Sequence, residues 1–159
     1  MYPRAVPTRP HHRDSGFTLI ESLIALLVLS IGLLGVAAMQ LSSLQASNGA
    51  FQRTQATFLA QDIADRMRAN RRAALDGDYD MEYGDAAPGA PATVAENDIA
   101  LWKARLAATL PAGASGEDED APDAQIVTNA AAATVTITIR WDDSRGQDDA
   151  LEFAMRTRL

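Results

Sequence analysis

The feature that most constrains this chain is a run of 17 residues without a charge, Leu23 to Met39. It sits within a longer apolar segment, residues 17–39, FTLIESLIALLVLSIGLLGVAAM. As an α-helix at ~1.5 Å per residue, such a segment reaches roughly 35 Å, enough to cross a bilayer. Ahead of it, residues 1–16 hold three prolines and three arginines and show no hydrophobic period. They read as an unstructured leader kept on the cytoplasmic side by its positive charge.

The formal charge of the whole chain is −7. Arg4, Arg9 and Arg13 against Asp14 give the leader +2, so the remainder carries −9. An acidic exterior repels phosphate backbones, and direct binding to nucleic acid is not expected. There is no cysteine, which excludes disulfides, thiolate catalysis and cysteine metal sites. The two histidines, His11 and His12, both lie in the leader. A chain trimmed after it would have no imidazole for a triad, a proton shuttle or most zinc chemistry.

Helical spacing continues past Met39. Leu41, Leu44, Phe51 and Phe58, and then Leu59, Ile63 and Met67, follow steps of three, four and seven within each set, which predicts one apolar stripe packed on a core, with its upper part also available between subunits. Asp62 stands four residues before Arg66, the favourable order for a helical ion pair. Arg66, Arg68, Arg71 and Arg72 crowd the far end, where positive charge offsets the helix dipole. Asn48-Gly49 is a place where the helix could bend, and Leu75-Asp76-Gly77 is its expected end.

Residues 76–97 read as a loop rich in Asp, Gly, Pro and Tyr. Asp98 is then expected to cap a short helix presenting Ile99, Trp102, Leu106 and Leu110, stopped by Pro111-Ala112-Gly113. A second loop, Gly116 to Pro122, carries the acidic run Glu117-Asp118-Glu119-Asp120. Val135, Ile137, Ile139 and Trp141 alternate with Thr134, Thr136, Thr138 and Arg140 as a half-buried strand. Leu151, Phe153 and Met155 repeat that alternation after a hairpin loop at Asp142–Asp149, and Gln125–Thr128 offers a third strand. The expected class is α+β: a long N-terminal helix whose distal half packs on a small antiparallel sheet. The expected divisions are a leader at 1–16, a membrane-spanning helical half at 17–39, an amphipathic half at 40–75 and a globular α+β domain at 76–159.

One short segment carries most of the functional information: Ser15-Gly16-Phe17-Thr18-Leu19-Ile20-Glu21. A glycine precedes the apolar run, and a single carboxylate interrupts it one turn later. An acid in hydrocarbon costs about 2 to 3 kcal/mol unless a partner or the interface relieves it. The segment resembles the class III signal of type IV prepilins, GFTLIE, with Gly16, Phe17 and Glu21 matching position for position. The resemblance implies cleavage after Gly16 by a prepilin peptidase and N-methylation of Phe17. It also implies that Glu21 helps recruit the subunit into a growing fibre. Cleavage there would leave a positive amine on Phe17, one helical turn from Glu21, on the same chain or a neighbour.

Further along, Asp62-Ile63-Ala64-Asp65-Arg66-Met67-Arg68-Ala69-Asn70-Arg71, then Trp102-Lys103, Leu110-Pro111 and Thr136-Ile137-Thr138-Ile139-Arg140-Trp141, are similar to the PilV group of minor pilins. That similarity implies a type IV pilin-like fold, no enzymatic activity and no cofactor. It implies as partners other minor pilins, the major pilin, a tip adhesin and, before assembly, inner-membrane lipid. Many pilins close a C-terminal loop with a disulfide, which this chain cannot form.

The same residues bear on other readings. A minor pseudopilin of type II secretion, of the GspI kind, shares the N-terminus. An ordinary signal peptide cut near Val36-Ala37-Ala38 is disfavoured by Glu21 inside the apolar region, and an uncut single-span anchor by the Gly16-Phe17 context. For a secreted enzyme, only paired-carboxylate glycoside hydrolysis remains open to these residues. Asp76, Asp78, Asp80 and Glu82, or Asp142, Asp143, Asp148 and Asp149, suggest calcium, but the first group lacks the EF-hand glycine and closing glutamate.

Overall fold

The computed structural model describes residues 18–111, 122–142 and 150–159. These residues fall into two units, one ending at Leu44 and the other spanning Gln45–Leu159. Helix α1, Leu19–Ala69, contributes to both.

Among the described residues of the first unit α1 is the only element. Its large apolar side chains from Leu19 to Leu44 are exposed throughout. Immersing fifteen such side chains in water, at roughly 1.5 to 3 kcal/mol each when fully uncovered, is untenable. Lipid or other protein must cover them. The Ser30 hydroxyl donates to the Leu26 carbonyl at 2.6 Å, so this side chain brings no unmet hydrogen bond into an apolar environment.

In the second unit α1 buries Gln52, Ala56, Leu59, Ala60, Ile63, Ala64 and Met67. The single stripe expected from the sequence therefore divides. Leu59, Ile63 and Met67 enter the core, whereas Phe51 and Phe58 are exposed. The reason is angular. At 100° per residue, Phe58 and Ile63 lie about 140° apart, too far to share one face. Alanines at 56, 60 and 64 occupy the intervening core positions and let the helix approach its neighbours closely. The helix runs without a break through Asn48-Gly49.

The helix does not continue to Leu75 as expected. Asn70 leaves helical geometry (φ −113°, ψ 48°), and helix α2, Arg71–Asp76, follows. The Asn70 side-chain amide donates to the Tyr79 hydroxyl at 3.3 Å, while its backbone N–H still reaches the Arg66 carbonyl at 3.0 Å and its carbonyl accepts from the Ala74 N–H at 3.1 Å. Gly77 closes α2 in the left-handed region at φ 90°. The Asp78 N–H reaches the Ala73 carbonyl at 3.0 Å and the Gly77 N–H the Ala74 carbonyl at 3.3 Å, the paired bonds of a Schellman end.

Helix α3 is Val94–Thr109, and its start corrects the cap assigned to Asp98. Thr93 is the N-cap: its side chain accepts from the Glu96 N–H, and the Glu96 carboxylate accepts from the Thr93 N–H. Thr93-x-x-Glu96 is a complete capping box legible in the sequence. The N–H groups of Ala92 and Thr93 hold the Glu96 carboxyl below its ordinary value. Asp98 lies inside the helix, where its carboxylate serves a different purpose. The buried positions Ile99, Trp102 and Leu106, with Leu110 at the C-cap, are those the spacing predicts.

Three strands form one antiparallel sheet in the order β1-β2-β3: β1 Asp123–Asn129, β2 Thr134–Trp141 and β3 Leu151–Arg158. Ile126 pairs with Ile137, and Ile137 with Met155; Ile139 pairs with Phe153. Val135, Ile137, Ile139 and Trp141 are buried, as their alternation predicts. Met81 adds an isolated bridge to Ile126 at the β1 edge. The β1–β2 turn places Ala133 at φ 48°, held by its N–H to the Ala130 carbonyl and by the Leu159 N–H on its own carbonyl. The long N-terminal helix thus packs on a small three-stranded antiparallel sheet, the α+β pilin-like arrangement expected. The acidic run Glu117–Asp120 and most of the β2–β3 connection, including Asp143, Asp148 and Asp149, lie outside the described residues.

Two buried indoles fasten the core to α1. Trp102 donates from Nε1 to the Leu59 carbonyl at 2.8 Å, and Trp141 donates to Gln52 Oε1 at 3.0 Å. Gln52 is thereby a satisfied polar group inside the core, which residue type and period alone did not reveal.

Candidate functional site

The expected site is the head of α1. Gly16 and Phe17 lie outside the described residues. From Thr18 onward the helix start is explicit: the Glu21 N–H reaches the Thr18 carbonyl at 3.1 Å and Thr18 Oγ1 at 3.3 Å, and the Ser22 N–H reaches the Thr18 carbonyl at 3.2 Å. Thr18 therefore caps the helix, and Glu21 stands at its third position, where the positive end of the dipole favours a carboxylate. The Thr18-x-x-Glu21 spacing signals this start in the sequence. Among the described residues the Glu21 side chain has no hydrogen-bond or ion-pair partner, and it is exposed. Around it Leu19, Ile20, Leu23 and Ile24 are exposed as well. A carboxylate set in an uncovered apolar helix has to be compensated by a cation or neutralised by a proton once that helix leaves water, because isolated charge is costly in a low-dielectric medium.

By length and composition α1 is able to cross a membrane, and none of its most apolar window is buried within the protein. A buried core helix would show the opposite.

The second feature picked out from the sequence, the arginine-rich end of α1, has a structural assignment. Arg66 donates to Asp98 Oδ1 at 2.9 Å and to Asp62 Oδ2 at 3.3 Å, and Arg105 donates to the same Asp62 oxygen at 2.9 Å. The Tyr79 hydroxyl donates to Asp98 Oδ2 at 2.7 Å. These side chains tie α1, α3 and the loop after α2 into one polar network, with the Asp62–Arg66 pair where the spacing placed it. Asp98 bonding raises Arg66 further above its ordinary value against the opposing effect of burial. Arg68 donates to Asp65, to Thr157 and to the Arg158 carbonyl, while Arg71 donates to the Leu159 carbonyl at 3.2 Å. Arg68 thus fastens the end of β3 to α1, and Arg71 ties the adjoining Leu159 to α2, uses beyond dipole compensation.

Tyr79 is fully buried, and its phenol is pushed up to about 12, chiefly by burial; the Asn70 amide opposes the shift and Asp98 adds to it. A folded value above the unfolded one means that this contribution to stability is complete below pH 10 and is lost as pH rises through 12. In thermal melts of the full chain in detergent, the wild type is expected to lose Tm between pH 10 and 12 more steeply than Tyr79→Phe. Parallel curves over that interval would contradict the assignment.

Among the described residues no three His, Cys, Asp or Glu side chains are grouped to hold a metal ion. Asp80 accepts from the Thr128 N–H at 2.9 Å, Glu82 from Gln125, and Asp76 lies 3.9 Å from Arg72.

Two family models match the chain. Residues 11–37 match the prokaryotic N-terminal methylation motif, and residues 38–88 match the family described as type IV pilin Tt1218. No curated protein matches significantly, nor does any solved structure. The first match contains Gly16, Phe17 and Glu21; the second contains Asp62, Arg66, Asn70 and Tyr79 of the polar network. An N-terminal methylation motif that runs without a gap into a type IV pilin match, on a chain with this fold, supports a type IV prepilin with the structural role of a pilin.

Proposed function

We propose that the chain is a minor type IV pilin of the PilV kind, which helps prime pilus assembly and present a tip adhesin, and so supports twitching motility and adhesion. Residues 1–16 are the leader, removed by prepilin peptidase between Gly16 and Phe17, with Phe17 then N-methylated. Residues 17–39 hold the subunit in the inner membrane with its N-terminus cytoplasmic. Residues 40–75 continue the helix toward the globular residues 76–159, which face the periplasm and later the cell surface. Its partners are other minor pilins, the major pilin and the adhesin.

The observation that carries this reading is Glu21, an unpartnered carboxylate in an otherwise apolar, uncovered helix. On leaving the bilayer, the helix exchanges lipid for neighbouring pilin helices. That exchange is nearly neutral for apolar surface, so packing and the pairing of Glu21 with an N-terminal amine give it direction. Mass spectrometry of the mature protein tests the first step. The expected N-terminal residue is N-methylated Phe17; a start near Met39, or an intact Met1, would exclude the proposal.

A further inference from the structure

In the Gln45–Leu159 unit, two aromatic rings remain outside the core without an evident structural task. Phe51 is 58% exposed and Phe58 60% exposed. They are seven residues apart, so they stand on one face of α1 about 10 Å from each other. Thr54 lies three residues after one and four before the other, hence between them. Its hydroxyl donates to the Ala50 carbonyl at 2.9 Å. The hydroxyl between the rings is therefore already satisfied, so the side-chain amide of Gln55, four residues after Phe51 and three before Phe58, is the polar group an occupant of this face has to meet.

The size of the face limits what can occupy it. Two phenylalanines exposed to this extent offer on the order of 250 Å². A stable association needs roughly 800 Å² from each partner. The face cannot hold a soluble protein by itself, and it suits a partner already brought alongside by other means. A subunit assembled through its own apolar helix is such a partner, and rings at seven-residue spacing match the pitch of a helical neighbour. Resting on the pilin reading above, we propose that Phe51 and Phe58 anchor the helix of a neighbouring pilin subunit, and that this pair selects for incorporation separately from Glu21.

The test uses the full chain in cells that make filaments. A photoreactive benzoyl-phenylalanine replacing Phe58 is expected to cross-link to a protein whose peptides identify it as a pilin. A second arm uses the double variant Phe51→Ser, Phe58→Ser. It should keep the wild-type N-terminus and a Tm within a few degrees, while its content in sheared filaments falls at least tenfold. Cross-links only to lipid or to a non-pilin protein, or normal incorporation of the folded double variant, would overturn the inference. If the double variant does not fold, the cross-linking result decides. If the wild-type chain is never found in filaments, the pilin reading itself fails, and this inference with it. Normal wild-type incorporation without a Phe58 contact refutes the inference alone.

Discussion

Glu21→Leu is expected to leave cleavage at Gly16-Phe17 and membrane insertion intact while cutting the subunit's content in filaments about a hundredfold. The size follows from an intramembrane charge, about 2.5 to 3.5 kcal/mol, where 1.4 kcal/mol is a factor of ten. Before assembly that charge is a liability that draws the helix toward any available cation. In the assembly proposed above, its later pairing with a Phe17 amine is what distinguishes a correctly placed neighbour from bare lipid. The bond from the Glu21 N–H to Thr18 Oγ1 is made by the backbone and survives the substitution, so loss of the helix cap does not explain the effect. Only the smaller interaction with the dipole is lost locally, about 0.3 to 1 kcal/mol. Glu21→Gln separates charge from shape: it keeps the polar outline and should fail nearly as badly as leucine. Immunoblots of sheared filaments and of membranes measure both quantities. A glutamine variant that assembles normally would remove the ion pair from the mechanism.

Trp102→Ala is expected to be the most damaging core substitution. Its indole is fully buried and donates to the Leu59 carbonyl, so it holds α3 against α1. Truncating a buried Trp costs about 3 to 5 kcal/mol through lost transfer energy and the cavity left behind. Set against the 5 to 15 kcal/mol typical of a whole domain, that is a large share. The Leu59 carbonyl sits in the middle of α1 and retains its helical partner, so packing supplies most of the loss. Melts of the full chain in detergent should show Tm lower by roughly 10 °C. The adjacent Leu101, nearly half exposed, serves as the control, with Leu101→Ala costing at most about 0.5 kcal/mol. Equal effects at the two positions would contradict the burial that separates them.

Much of the fold was legible because its signals are local. The strand at Thr134–Trp141 announces itself by alternation, since successive side chains must point to opposite faces. The helix at Val94–Thr109 is legible in its apolar spacing, but its start lies at Thr93 and not at Asp98: Asp98 is a good cap residue, whereas Thr93-x-x-Glu96 satisfies two backbone donors at once. The angular split of the α1 stripe follows from residue spacing, but which side of it is buried was not legible. Leu59 and Phe58 are adjacent and equally apolar, and only the position of the sheet and α3 determines which of them is buried. The contact of Asn70 with Tyr79, nine residues away, is likewise decided by the tertiary fold.

The head of α1 was set by sequence alone. Glycine, aromatic residue and lone acid ahead of an apolar run are covalent neighbours, and their chemistry needs no tertiary structure to bring them together. The arginine-rich end of α1 is the opposite case. Charge and spacing there allowed dipole compensation, a cationic patch or a fold-internal network. The choice fell to Asp98, Arg105, Thr157 and the backbone of Arg158, all contributed from distant parts of the chain. A guanidinium's role depends on which acceptors the fold places within reach, and a linear sequence does not contain that distance.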